Sequence, residues 1–81
     1  MPEEAPPVVQ ELTAEQLRAK VAPYISRAKN FRAQGEYRAA MAELATARAV
    51  DPASQDVRAE IEQTKRACLA EKRLGRGGLV C

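Results

Sequence analysis

Apolar residues recur at Leu17, Val21, Tyr24, Ala28 and Phe31, with spacings of four, three, four and three residues. That is the period of one helical face. The stripe runs through Pro23, which lacks a backbone donor and crowds the preceding turn. Either one long helix kinks near Lys20 to Pro23, or a short helix ends there and Pro23 opens the next. The unbroken stripe favours a continuous, kinked helix. Thr13-Ala14-Glu15-Gln16 fits a capping box at its start, with Leu12 placed as a hydrophobic staple. Gln34-Gly35-Glu36 forms the turn, Gly35 being suited to the left-handed residue that ends a helix.

A second helix is predicted from Tyr37 to Val50, with Tyr37, Ala40, Met41, Leu44 and Ala47 on its apolar face. Asp51-Pro52 stops it, and Ser54 can cap a third helix. That helix is expected to turn Val57, Ile61, Cys68 and Leu69 inward, with Glu62 and Arg66 spaced for an ion pair. Thr64 and Lys65 interrupt the stripe, so its far half is expected to pack less well. Gly75 suits a helix end, and Arg76-Gly77-Gly78 is expected to be flexible. The pattern predicts an all-α chain: a Pro-rich extended arm over 1–12, a three-helix domain over 13–74, and a Gly-rich tail over 75–81. Pro2, Pro6 and Pro7 disfavour helix in the arm, where Val8-Val9 could make a short extended contact.

Size changes this picture. Eighty-one residues allow one small domain at most. Sixteen are alanine, which favours helix but contributes little buried area. With no Trp, one Phe and two Tyr, core volume is scarce, and stability calls for staples or association.

The segment from Val21 to Ser54 resembles a tetratricopeptide repeat. Tyr24, Ala28 and Phe31 on the first helix match that family's pattern, as do Ala40, Leu44 and Ala47 on the second. Pro52 matches its closing proline, and Gly35-Glu36-Tyr37 is similar to its inter-helix turn. Arg27 departs, standing where leucine is usual, and is expected to face solvent or a partner carboxylate. The resemblance implies a helix–turn–helix hairpin, small residues at the helix contact, and an amphipathic capping helix after Ser54. It also implies a ligand surface on the first helix, where Ala22, Ile25, Lys29, Arg32 and Ala33 would fall. Lys29 and Arg32 could grip a carboxylate there. The family's carboxylate clamp also uses asparagines from several repeats. This chain has one repeat and one Asn, Asn30.

The net charge of +2 conceals an acidic start (Glu3, Glu4, Glu11) and a basic run of Lys65, Arg66, Lys72, Arg73 and Arg76. Such a run can meet nucleic acid, anionic lipid or an acidic protein surface, but cations also suit the negative end of a helix dipole, and a solvated helix end is the first reading of it. Nucleic acid is a poor fit, because no aromatic residue interleaves with the bases. No apolar run reaches the length of a membrane span, and no signal-peptide core follows the start.

Chemistry is sparse. The chain has no histidine, and its carboxylates are spread over helix surfaces, with Glu60 and Glu62 on different sides. Gly75-Arg76-Gly77-Gly78 follows a helix and lacks the Lys-Ser/Thr of a phosphate loop. No catalytic residue, metal or cofactor is expected. Cys68 falls on the apolar side of the third helix, where a cysteine can be a small buried hydrophobe. Cys81 ends the tail and is expected to be exposed. Both thiols could be inert. Alternatively Cys68 could bond Cys81 across twelve intervening residues, or Cys81 could link two chains.

These features point to a non-catalytic protein-interaction module. One hairpin stands where such arrays need about three, so self-association into an oligomer or filament is the first expectation. The alternative is a monomeric adaptor taking an acidic peptide or C-terminal carboxylate on Lys29 and Arg32.

Overall fold

The computed structural model describes residues 12–81. The expected arm falls, apart from Leu12, outside them. Three α-helices follow in order, α1 Ala14–Ala33, α2 Tyr37–Val50 and α3 Gln55–Arg73, and no strand occurs among the described residues. Helix α1 is continuous through Pro23.

Local chemistry sets each boundary. Thr13 Oγ1 accepts from the Gln16 amide at 3.1 Å, and Gln16 Oε1 accepts from the Thr13 amide at 2.9 Å. This reciprocal pair satisfies two amides that the helix start leaves free. At the far end of α1, Gly35 takes φ +75°, the Glu36 amide donates to the Phe31 carbonyl at 2.8 Å, and the Gly35 amide donates to Arg32 at 3.0 Å. Those two bonds make a Schellman motif. Helix α3 ends the same way. The amides of Arg76 and Gly75 donate to Glu71 and Lys72, each at 3.3 Å, and Gly75 has φ +127°. Between α2 and α3, Ser54 Oγ accepts from the Val57 amide at 3.2 Å.

The core forms two clusters. Val21, Ala47 and Val57 are buried together, with Tyr24, Ile25, Val50 and Ile61 packed against them. Ala28, Ala40 and Leu44 form the other, with Phe31, Met41 and Ile61. Alanines at the α1–α2 contact let the backbones come close, so these two helices pack tightly. Ile61 touches both clusters and so ties α3 to the hairpin. Burying Leu44, Val21 or Val57 fully stabilises the fold by about 1.5–3 kcal/mol each.

Helix α3 corrects two expectations. Thr64 does not interrupt the inward stripe but lies on it, fully buried, and its hydroxyl donates to the Glu60 carbonyl at 2.7 Å. A threonine that bonds its own preceding turn brings its polar atom satisfied into the core. Leu69, expected inward, is 46% exposed, whereas Cys68 is buried. Successive residues on a helix point about 100° apart, so both cannot face the hairpin. Glu62 and Arg66 are both exposed and form no ion pair.

Candidate functional site

The residues anticipated to form a binding surface do not stay together as a free patch. Ile25 is half-buried and packs on the Val21 cluster, while Ala33 is exposed at the last turn of α1. Lys29 and Arg32 converge on a carboxylate, but it belongs to the chain itself. Arg32 Nη1 donates to Glu60 Oε2 at 2.7 Å, and Lys29 Nζ stands 3.7 Å from Glu60 Oε1. Arg32 Nη1 also reaches Thr64 Oγ1 at 3.5 Å. The Glu60 side chain is 11% accessible and that of Arg32 21%, against 55% for Lys29. The two bases therefore do not form a free clamp: Glu60 already engages both and joins α1 to α3. A shallow depression of about 260 Å³ remains above this lock, lined by Arg18, Ala22, Ile25, Ser26, Lys29 and Asp56.

Arg27 finds a carboxylate too, on α2. Its Nε lies 3.2 Å from Glu43 Oε2, and its guanidinium sits 4.9 Å over the Tyr24 ring. This placement lets a cation stand where the resembled pattern has leucine: its head is paired with a carboxylate and stacked on a ring, with half of the side chain in solvent.

A second polar group gathers where the tail meets the α1–α2 turn. Arg76 Nη1 lies 3.2 Å from Glu71 Oε1 and donates to the Gly35 carbonyl at 3.3 Å. The Tyr37 hydroxyl faces Glu71, which raises the tyrosine above its ordinary value, with burial adding to the effect. Glu71 is lowered, first by Tyr37 and also by Arg76, with desolvation opposing them. Glu71 Oε2 is nonetheless buried without a hydrogen bond of standard geometry, so the Tyr37 contact is a polar approach rather than a well-formed bond.

Beside this group the structure joins Cys68 to Cys81 in a disulfide with a Cα–Cα distance of 5.9 Å. The tail expected to be flexible is thereby tied back to α3 through one of the links the sequence left open. A groove of about 500 Å³ lies alongside, lined by residues including Tyr37, Met41, Thr64 and Val80, with Arg38 and Lys65 at its edge.

Sequence reasoning missed Glu60, Thr64 and the Tyr37–Glu71–Arg76 group. The one signal available was spacing: Glu60, Thr64, Cys68 and Glu71 follow one another at four, four and three residues, one side of a helix.

Among the described residues no helix is long and apolar enough to cross a membrane. Compared with protein-family models, with curated proteins and with solved structures, the chain matches none.

Proposed function

We propose that this chain is a non-catalytic protein–protein interaction module, a tetratricopeptide-type hairpin of α1 and α2 capped by α3, which associates with its own copies. The observation that supports this reading most is the partial cover of the hairpin's bulky residues. Tyr24 and Phe31, the large positions of the resembled pattern on α1, remain half-buried, whereas Leu44 on α2 and the small positions Ala28, Ala40 and Ala47 are fully enclosed. In stacked hairpins such residues are covered by the neighbouring unit. Helix α3 supplies one neighbour through Val57 and Ile61, and a second copy would supply another. Its outward residues Arg58, Glu62, Gln63, Lys65 and Arg66 are polar, as suits a cap that ends a stack, so the second copy would pack on the opposite flank of α1 and α2, flank to flank.

The adaptor alternative has less support, because a ligand carboxylate would have to displace Glu60 from Arg32 and Lys29. Light scattering in reductant tests the proposal. The expected result is a mass that is a multiple of 8.9 kDa at micromolar concentration, reduced by Tyr24→Glu with helix content retained. A single 8.9 kDa species across the concentration range would overturn it.

A further inference from the structure

We propose that the Cys68–Cys81 disulfide is a redox latch: it holds the C-terminal tail against the α1–α2 turn, and reduction releases the tail and opens Cys68. This regulatory device stands independently of the association proposed above.

The two sulfurs sit in unlike surroundings. Cys68 is 2% exposed within α3, whereas Cys81 is exposed at the chain end. Apart from the disulfide, the tail is held by little. Val80 is 85% exposed, Leu79 is half-buried with its amide donating only within the tail, to the Arg76 carbonyl at 3.0 Å, and nothing lies within 4 Å of where a Cβ would stand on Gly77 or Gly78. The Cys68 sulfur lies 3.8 Å from the Val80 carbonyl, but a disulfide sulfur has no hydrogen to donate, so this is packing only. What remains is Arg76, which spans Glu71 and the Gly35 carbonyl with half of its side chain in solvent. Ion pairs so exposed hold a chain weakly. The covalent bond therefore fixes the tail beyond Arg76, whose own backbone the α3 cap already holds beside the turn.

Exposure also dictates how the latch opens. The thiolate of an external dithiol attacks the Cys81 sulfur, the one that solvent reaches. The Cys68–Cys81 bond breaks, and Cys68 leaves as a thiolate that takes up a proton. The second thiol of the reductant then attacks the mixed disulfide, forming the reductant's own disulfide and freeing Cys81. Two electrons and two protons pass to the protein. The buried thiol then lies beside the groove of Tyr37, Met41 and Thr64, with the tail no longer tied across it.

Three measurements on the full chain test this. Intact mass under denaturing conditions and thiol titration of the oxidised form should find single, uncrosslinked chains without free thiols. Oxidised material consisting of dimers linked through Cys81 would overturn the latch. Tryptic cleavage after Arg76 should run about tenfold faster in the reduced chain and in Cys81→Ser than in the oxidised chain. Equal rates in all three would overturn release of the tail. Hydrogen exchange of oxidised Arg76→Ala should show faster exchange at Gly35 and Glu36 with the Leu79 amide unchanged. Unchanged exchange at the turn would overturn the role given to Arg76.

Discussion

Replacing Glu60 by alanine probes the lock between α1 and α3 most directly. The substitution strips Arg32 of its 2.7 Å partner and leaves a guanidinium whose side chain is only 21% accessible. Removing one member of a buried ion pair costs about 3–5 kcal/mol, because the other charge stays behind uncompensated. Here the figure is smaller. Arg32 retains some solvent and Thr64 Oγ1, and Lys29 is more than half exposed and can turn to water. About 2 kcal/mol is the expected loss. A core this small supplies only about 3–5 kcal/mol in total, so Glu60→Ala should sit close to unfolding at room temperature. At roughly 4–8 °C per kcal/mol, Tm should fall by about 8–16 °C. The double variant Glu60→Leu with Arg32→Leu, which removes both charges, should recover most of that loss. Thermal and urea melts by circular dichroism of Glu60→Leu, Arg32→Leu and the double variant, arranged as a double-mutant cycle, measure the coupling. A Glu60→Ala melt within about 0.5 kcal/mol of the parent, or strict additivity in the cycle, would show that the lock is not a stabilising element.

Two further outcomes follow from the turn and its polar group. Gly35→Ala should destabilise by about 1–2 kcal/mol in urea melts, since φ +75° is a left-handed conformation and the new Cβ would stand 3.0 Å from Arg76 Nη1; an unchanged midpoint would argue against the Schellman turn. Because the folded state lowers Glu71, its contribution is present above the unfolded carboxylate range and is lost as pH falls through the folded value, whereas Tyr37, raised by the fold, contributes below the ordinary tyrosine value and loses that contribution as pH rises through the folded one. Urea midpoints across both windows should therefore flatten in Glu71→Gln, and an unchanged pH profile would dissociate Glu71 from both limbs.

Much of this fold was legible because its signals are local. Thr13 with Gln16, Gly35 after Gln34, Ser54 ahead of Val57 and Gly75 after Leu74 each act within a few residues, so their roles could be read from spacing alone. Thr64 was misread for a different reason. Polarity suggested an outward residue, but its hydroxyl is satisfied by the preceding turn of its own helix. Leu69 was misread through hydrophobicity, when its neighbour Cys68 already occupied the inward direction. The Arg32–Glu60 pair lay beyond sequence reasoning altogether. Its members are separated by 28 positions, and on charge alone several other carboxylates could have served. The same holds for Arg76, which meets Gly35 across 41 positions because α3 ends beside the α1–α2 turn.

Pro23 has a consequence that reaches past the shape of α1. Having no amide hydrogen, it cannot donate to the carbonyl of Ala19, and both residues are exposed, so water can take the vacant place. The backbone ladder therefore loses one rung between the first turns of the helix and the stretch that carries Ala28 and Phe31. Ala14 to Ala19 can fray as a unit without prying open the alanine contact beneath. The first half of α1 should thus exchange its amides on a faster clock than the second, inside what looks like a single helix.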